Sequence, residues 1–233
     1  MLKVHSIQTL GTLDGPGVRF VVFAQGCPLR CACCHNPDTW DAGGGKMMDI
    51  DELVTKCLRY REYFGAEGGI TVSGGEPLMQ ADKVHKLLER CKEKGINTCL
   101  DTSGCILTDS VKNLLRVTDR VLLDVKYTNA PDYLRYTGWE MAPVMEFLNY
   151  LNAQNIPTTL RQVILPTLND CEESVLALKS ITAGHPCVDK IELLPFRKIC
   201  TVKYESMGIP FPLAHLSEPS KESMAELEKL LKA

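Results

Sequence analysis

Apolar residues fall into two patterns that alternate along the chain. Short runs such as residues 18–24 (VRFVVFA) are rich in β-branched and aromatic residues, which is typical of strands buried on both faces. Between them, apolar residues recur every three or four positions, as in amphipathic helices. The first pattern predicts six strands, at residues 18–24, 69–73, 97–101, 120–126, 158–165 and 189–194.

Helices are predicted between these strands by periodicity and by end signals. Asp49 with Glu52 three residues later forms a capping-box pattern, and Gly95 is suited to end a helix. Residues 201–219, which contain three prolines, are predicted to be irregular. The predicted helices cover residues 49–63, 81–94, 108–117, 139–154, 171–181 and 220–231.

Strands that alternate with helices usually pair in parallel, because each helix carries the chain back to the start of the next strand. The predicted fold class is therefore α/β, a partial (β/α)6 barrel of parallel strands with outer helices. The sequence has no internal repeat, low-complexity tract or linker, so residues 1–233 are expected to form a single domain.

Charge and hydropathy narrow the possible partners. The formal net charge of −3 gives the chain no overall attraction to nucleic acid or to an anionic membrane. No apolar run reaches the length of a membrane span, and the first residues lack the apolar stretch of a signal peptide. These features predict a cytoplasmic protein with no nucleic-acid or membrane partner.

Cysteine is the residue type that changes the picture most. Eleven cysteines, an odd number in a chain predicted to be cytoplasmic, favour metal or redox chemistry over a disulfide framework. Cys27, Cys31 and Cys34 have the spacing C-x3-C-x2-C. Three thiolates on one tight loop can ligate three irons of a [4Fe–4S] cluster. The fourth iron would stay open to the amino and carboxylate groups of a small molecule.

Two alternatives remain for this cysteine loop. Cys33 could supply a fourth ligand and close the site, although adjacent residues on an extended loop point in different directions. The same cysteines could instead bind zinc in a non-catalytic or redox-sensing module. Zinc sites usually pair two cysteine knuckles, and the sequence has no second one.

Polar residues follow the predicted strands at the positions where parallel α/β proteins gather their chemistry. The cysteine loop follows the first strand, and residues 74–77 (GGEP) follow the second. Buried strands rarely carry charges without partners, so these residues predict one shared polar site. Later strands end in, or lead into, further polar residues: Asp101, Thr102, Ser103, Asp124, Lys126 and Arg197.

The cysteine motif and the GGEP segment together resemble the radical S-adenosylmethionine superfamily. The segment TLDGPGVRFVVFAQGCPLRCACCHNPDTW is similar to the start of the pyruvate formate-lyase-activating enzymes, which act on a glycyl radical enzyme. The short spacing between Cys34 and Gly74 leaves no room for the ferredoxin-like insert of many other glycyl radical activases. Further similar segments extend over nearly the whole chain: VSGGEPLMQ, KEKGINTCLDTSG, VLLDVK and KIELLPF.

The resemblance implies radical chemistry on a protein substrate. A reduced cluster held by Cys27, Cys31 and Cys34 would pass one electron to S-adenosylmethionine at the open iron. The resulting 5′-deoxyadenosyl radical would remove a hydrogen atom from a backbone glycine of pyruvate formate-lyase. Flavodoxin or ferredoxin is implied as the electron donor, and the protein itself as a monomer. Activation of a different glycyl radical enzyme is the alternative within the superfamily.

The resemblance also assigns roles to individual residues. A monovalent cation would be held by Asp101, Thr102 and Asp124, unless Asp124 and Lys126 form a simple ion pair. Asp14 and Arg161 would contact the cofactor or the partner's glycine loop. The implied contacts to the cofactor are Cys33, Cys34, His35, Gly74, Gly75, Glu76, Asp124, Val125, Lys126 and Arg197.

Two of these positions depart from the family pattern. Cys33 stands where the family usually has an aromatic residue before the third cysteine. Arg197 stands where the best-known member has histidine, and its guanidinium can still stack on the cofactor or donate hydrogen bonds to it.

Overall fold

The computed structural model describes residues 1–232 and divides into two compact units. The first unit consists of residues 1–28 and 39–123, and the second of residues 29–38 and the chain from residue 124 onward. Within residues 1–232, no helix is long and apolar enough to cross a membrane.

The first unit is a sheet whose parallel strands are joined by helices. The strands lie in the order β3-β1-β2-β4-β5-β6. Strands β2, β4, β5 and β6 are parallel, whereas β1 is antiparallel to both β2 and β3. In chain order the elements are β1 (Leu2–Gly11), β2 (Arg19–Ala24), β3 (Lys46–Met48), α1 (Ile50–Leu58), β4 (Gly69–Gly74), α2 (Ala81–Glu93), β5 (Asn97–Thr102), α3 (Asp109–Arg116) and β6 (Arg120–Asp124).

The second unit contains two parallel strands and the remaining helices. Strand β7 pairs with β8 along its whole length. The elements are α4 (Ala130–Thr137), α5 (Ala142–Ala153), β7 (Thr158–Ile164), α6 (Glu172–Ala183), β8 (Val188–Pro195), α7 (Thr201–Ser206) and α8 (Lys221–Lys232).

The predicted strands and the α/β fold class are confirmed. Each of the six predicted strands is present, with bounds within two residues of those expected. Asp49 caps α1 as predicted, because its carboxylate accepts hydrogen bonds from the backbone N–H groups of Asp51 and Glu52 at 2.8 and 3.2 Å. Helix α1 nevertheless ends at Leu58, and only a separate short 3-10 turn at Arg61–Tyr63 follows within the range predicted to be helical.

Four elements were not predicted, and each buries few apolar side chains. Strands β1 and β3 lie at the antiparallel side of the first sheet, where β3 is only three residues long. Helix α4 buries Tyr133 and Thr137 and has no continuous apolar stripe. Helix α7 buries only Tyr204, and it lies within the segment predicted to be irregular. Weak burial leaves a weak periodic signal in the sequence.

Arg19, at the start of β2, is a fully buried cation that ties three neighbouring segments together. Burial lowers the pKa of its guanidinium, and a buried charge needs protein oxygens in place of water. These oxygens come from β4, from β5 and from the loop before β4. The guanidinium donates to Thr71 Oγ1 (3.0 Å), Glu67 O (3.0 Å), Asn97 Oδ1 (2.9 Å) and Ile70 O (2.6 Å).

We expect Arg19→Lys to destabilise the fold although it keeps the charge. A single ammonium group lacks the planar fork of donors, so several buried oxygens lose their partner. The free energy of unfolding should fall by about 2–4 kcal/mol in chemical denaturation. Arg116→Lys, at an exposed position in α3, is the matched control and should stay within about 0.5 kcal/mol of the unaltered protein. Equal denaturation midpoints for the two variants would contradict this account of Arg19.

Candidate active site

The loop after β2 begins in the first unit and carries Cys27. Its backbone is held on both sides, because Gly26 N–H donates to Thr39 O at 2.8 Å and Cys27 N–H donates to Trp40 O at 3.4 Å. Glu76 N–H donates to Gly26 O at 2.8 Å, which joins this loop to the one after β4. Cys27 is half-exposed and forms no disulfide.

Gly74 lies against the end of β2, and Gly75 against the loop after it, more closely than any side chain would allow. A Cβ added at Gly74 would lie 2.4 Å from Ala24 N, and one at Gly75 would lie 2.3 Å from Gly26 O. Gly74 also has a φ of +112°, a conformation that favours glycine. Gly74 and Gly75, which are predicted cofactor contacts, therefore have a packing role in this structure.

Glu76 is a buried carboxylate whose partners are all in the first unit. It is 1% exposed, and burial raises the pKa of its carboxyl although hydrogen bonds from Ser103 and Thr102 oppose that shift. The carboxylate therefore ties the loop after β4 to the end of β5 and positions both. It accepts hydrogen bonds from Thr102 Oγ1 (2.6 Å), Ser103 N (3.0 Å), Ser103 Oγ (2.6 Å) and Leu78 N (3.2 Å).

Two of the predicted cation ligands lie at this end of β5. Asp101 accepts a hydrogen bond from Ser73 Oγ at 2.7 Å, and Thr102 is the residue that donates to Glu76. The third predicted ligand, Asp124, belongs to the second unit. Within residues 1–232, no group of three or more His, Cys, Asp or Glu side chains is placed to hold a metal ion.

Asp14 lies in the loop before β2 and is half-exposed. Its main-chain oxygen accepts a hydrogen bond from Thr71 Oγ1 at 2.7 Å. Thr71 Oγ1 also accepts a hydrogen bond from Arg19 Nε. The buried guanidinium therefore holds the hydroxyl that in turn holds this loop.

The second part of the cysteine loop is held by the end of α4. Arg30 N–H donates to Thr137 O at 2.8 Å, and Ala32 N–H donates to Tyr136 O at 2.7 Å. Cys34 N–H donates to Cys31 O at 3.1 Å, which closes a tight turn. Helix α4, which the sequence pattern missed, is therefore a support of the predicted ligand loop.

The cysteines of this loop differ in exposure. Cys31 and Cys34 are half-exposed, whereas Cys33 is 8% exposed. Burial raises the pKa of the Cys33 thiol to about 11, so it stays protonated at neutral pH. The adjacent residues Cys33 and Cys34 thus have different environments, although they lie at a tight turn and not on the extended loop that was expected.

Asp124 lies between two cations in the second unit. Its carboxylate accepts hydrogen bonds from Lys126 Nζ at 2.6 Å and from Arg161 Nε at 2.9 Å. Burial alone would raise the pKa of this carboxyl, but the charges of Arg161 and Lys126 outweigh burial and hold it below its usual range. The ion pair considered for Asp124 and Lys126 is present, and Arg161 extends it to three groups.

Lys126 remains charged although it is mostly buried. Burial alone would lower its pKa, but the charge of Asp124 keeps it well above the usual value. Val125 between the two charged residues is buried, and its N–H donates to Arg161 O at 2.9 Å. Arg161 of β7 thus supports both the charge of Asp124 and the backbone of Val125.

The His35 ring is hydrogen-bonded to the main-chain oxygen of Arg197. A ring N–H of His35 donates to Arg197 O at 3.0 Å, and burial lowers the pKa of this imidazole. The Arg197 side chain is half-exposed and pairs with Glu218 at 2.8 Å. Tyr204, which the sequence did not single out, donates its hydroxyl to Cys34 O at 3.3 Å. No motif marks Tyr204, since one aromatic residue in a short helix is usually part of the core.

Comparison with known proteins identifies the kind of fold and site. A protein-family model described as "4Fe-4S single cluster domain" matches residues 13–140. A radical SAM methyltransferase from Sphaerobacter thermophilus is similar in structure, with a TM-score of 0.64 and 18% identity over 92% of this chain and 63% of that one. A domain of a pyruvate-formate lyase-activating enzyme from Bacteroides vulgatus gives a TM-score of 0.59 and 20% identity over 71% of this chain and 93% of that one. The fold is therefore that of radical S-adenosylmethionine proteins with a single-cluster domain.

Sequence relatives specify the family within this class. A "Pyruvate formate-lyase-activating enzyme" from Clostridium pasteurianum is 41% identical over 100% of this chain and 98% of its own length. The "Pyruvate formate-lyase 1-activating enzyme" of Escherichia coli K12 is 38% identical over 98% of this chain and 94% of its own length. The chain belongs to the family of pyruvate formate-lyase-activating enzymes, which confirms the resemblance drawn from its motifs.

Gly75→Ala should disturb the contact between the loops after β2 and β4. The added methyl would meet the Gly26 carbonyl at 2.3 Å, so one backbone must move. We expect a loss of about 1–3 kcal/mol in thermal or chemical unfolding. Gly184→Ala is the matched control, because its φ is −79° and its new methyl would lie 3.6 Å from Ile181 O. A Gly75→Ala protein as stable as Gly184→Ala would show that the close contact is not needed.

Asp124→Asn should leave Lys126 and Arg161 as buried cations without their counter-charge. At pH 7 the expected loss is about 3–5 kcal/mol in the free energy of unfolding. Because the folded-state pKa of Asp124 is lowered, its contribution is present above the unfolded value of about 3.9 and is lost as pH falls through the folded value. The gap between variant and unaltered protein should therefore narrow below about pH 4.

The control for this measurement is Asp109→Asn at the exposed start of α3. The Asp109 side chain is 96% exposed, so its change should stay within about 1 kcal/mol at every pH. A gap for Asp124→Asn that is independent of pH would contradict the proposed charge arrangement.

Proposed function

We propose that this protein activates pyruvate formate-lyase by generating a glycyl radical on it, with a [4Fe–4S] cluster and S-adenosylmethionine as cofactors. The proposal rests on the difference in exposure among the four cysteines of the loop. Cys27, Cys31 and Cys34 are half-exposed, and Cys33 is buried with a raised pKa. Three accessible thiols leave one iron of a cubane cluster without a protein ligand.

The donor set of this loop fits the cluster chemically. Thiolate sulfur is the usual protein ligand of iron–sulfur clusters, and we assign Cys27, Cys31 and Cys34 to that role. When bound, the cluster and S-adenosylmethionine supply a reductive carbon–sulfur cleavage whose 5′-deoxyadenosyl radical takes a hydrogen atom from glycine. The protein's part is to bind, orient and shield these groups.

The residues around the loop have roles that follow from their surroundings. The backbone of Gly74 and Gly75 is assigned to the methionyl amino group, and the absence of side chains is what lets this segment approach Ala24 and Gly26 so closely. Glu76 acts through the loop it holds, because its carboxylate is buried among hydrogen-bond donors. Lys126 supplies positive charge for the methionyl carboxylate, with Val125 beside it in the backbone.

The remaining cofactor contacts come from the cysteine loop and from the segment after β8. Cys33 and Cys34 would contribute through their main chain, as would His35, whose ring is already bonded to Arg197 O. The Arg197 guanidinium would have to exchange Glu218 for the cofactor, which its half-exposed position permits. This would make Arg197 a weaker contact than Lys126.

A monovalent cation and the protein substrate complete the proposed site. The oxygens of Asp101, Thr102 and Asp124 suit a hard cation. Asp14 is half-exposed and available to a glycine loop, whereas Arg161 is 6% exposed and acts by holding Asp124. Arg161 is thus a positioning residue in this proposal.

The proposal also covers the electron donor, the location and the oligomeric state of the protein. A flavodoxin or ferredoxin supplies the electron, and the protein works as a cytoplasmic monomer that meets pyruvate formate-lyase transiently. Residues 1–233 act as a single radical SAM domain, since one family model covers parts of both units.

Anaerobic reconstitution with iron and sulfide tests the proposal. The unaltered protein should bind a cluster, cleave S-adenosylmethionine when reduced and give a glycyl radical EPR signal on pyruvate formate-lyase. Cys34→Ala should lower S-adenosylmethionine cleavage more than about 100-fold, since a cluster ligand is lost. Cys33→Ala is the matched control, and its iron content and EPR spectrum should match those of the unaltered protein.

The outcome separates the competing functions. A colourless protein that holds zinc, with Cys33 as important as Cys34, would replace the activase by a zinc-binding or redox-sensing module. Cluster-dependent cleavage without a radical on pyruvate formate-lyase would point to a different glycyl radical enzyme.

A further inference from the structure

The segment from Cys34 to Asp38 is hydrogen-bonded at both ends to helix α7. We call it the ligand segment, because it begins at the third of the proposed cluster ligands. At its start, Tyr204 donates its hydroxyl to Cys34 O at 3.3 Å. Further along, Lys203 Nζ donates to Asn36 Oδ1 at 2.8 Å and to Asp38 Oδ1 at 3.1 Å. Two consecutive residues of α7 therefore hold this segment.

The Tyr204 hydroxyl has a fixed position because the ring that carries it is packed. Tyr204 is 1% exposed, and its ring centroid lies 4.8 Å from that of Phe211. Phe211 in turn packs against Phe196, directly after β8, at 6.1 Å. A side chain packed in this way has little rotamer freedom, so its hydroxyl stays directed at the main-chain oxygen of Cys34.

The two halves of the cysteine loop have different supports within the second unit. The end of α4 holds the first half through the N–H groups of Arg30 and Ala32. Helix α7 and the residues before it hold the second half, since the His35 ring also donates to Arg197 O at 3.0 Å. Packing alone would need only the ring of Tyr204, whereas its hydroxyl acts on the main chain of the loop.

We propose that Tyr204 and Lys203 are positioning residues that hold the main chain of the ligand segment in the form that S-adenosylmethionine binds. The effect on the cofactor rests on the proposed function, in which the main chain of Cys34 and His35 contacts it. Both residues act through the ligand segment and not by touching the cofactor. A segment that is ordered before binding loses less conformational entropy on binding, which favours affinity.

Tyr204→Phe tests the proposal, because it keeps the aromatic ring and removes only the hydroxyl. On the reconstituted holoenzyme with dithionite as reductant, the KM for S-adenosylmethionine should rise about three- to tenfold, the range that one hydrogen bond contributes. The kcat should stay within about twofold, since the cluster ligands are unchanged and the lost interaction acts on binding.

Hydrogen exchange measures the same effect without turnover. In the full chain, with and without a reconstituted cluster, amide exchange in a peptide that covers residues 31–38 should be about three- to tenfold faster in Tyr204→Phe. Exchange in β7 should be unchanged, because the packing of the ring against Phe211 is kept.

The matched control is Tyr63→Phe, which removes the hydroxyl of a tyrosine that is 60% exposed in the first unit. It should change neither the KM nor the exchange of residues 31–38. Lys203→Met should act in the same direction as Tyr204→Phe, and Lys203→Arg, which keeps a cationic donor, should recover most of the affinity. Lys229→Met, at an exposed position of α8, is the control for the lysine variants.

Three results would overturn the proposal. These are an unchanged KM and exchange rate in Tyr204→Phe, faster exchange across the whole second unit, and a lower kcat at constant KM. If Tyr204→Phe does not fold, Lys203→Met provides the same test. Failure of the proposed function is distinguishable, because the unaltered protein would then not cleave S-adenosylmethionine with dithionite, whereas the exchange of residues 31–38 would still respond to Tyr204→Phe.

Discussion

The close approach of two backbone segments in the first unit is the constraint on which the predicted site depends. The end of β4 and the residue after it lie so near Ala24 and Gly26 that positions 74 and 75 must be glycine. The bond from Glu76 N–H to Gly26 O then fixes the register of the two loops. With the loops locked, the Glu76 carboxylate reaches the hydroxyls at the end of β5. Three strand ends are thereby held by contacts that leave little freedom.

Buried charge is stabilised in three different ways in this protein. Arg19 is surrounded by carbonyl, hydroxyl and amide oxygens, so its charge is spread over neutral dipoles. Glu76 uses hydroxyls and backbone N–H groups, and its pKa is still raised by burial. Asp124 instead has two full cations, which is why its pKa is lowered despite burial. Of the three arrangements, only that of Asp124 consists of full charges. A charged ligand could take the place of one of these charges without leaving neutral hydrogen-bonding groups unsatisfied.

Sequence patterns predicted the parts of the fold that bury continuous apolar surface. Strands such as β4 and β5 bury most of their residues and were predicted nearly to the residue. Helices α4 and α7 were missed because Tyr133, Thr137 and Tyr204 are almost their only buried residues. Both helices contact the cysteine loop, so the supports of the predicted site carried the weakest signals.

For the site itself, motifs identified residues but not their partners. Spacing and resemblance pointed to Glu76 and Arg161 as groups near a ligand, and both are in fact occupied by protein contacts. Long-range pairs such as Tyr204 with Cys34 arise from the packing of distant segments. A single sequence holds no record of such packing, whereas local features such as the Asp49 cap depend only on neighbours and were predicted correctly.

The backbone hydrogen bonds between the cysteine loop and the end of α4 have a consequence for how a cluster is inserted into this protein. The bonds from Arg30 and Ala32 to the end of α4 join protein groups to one another, so they order the loop without help from iron. Inserting a cluster then costs little conformational entropy, unlike in small zinc domains, where metal binding is itself the folding step. The backbone of the loop would therefore keep its fold after the loss of a cluster, because these bonds involve protein groups alone.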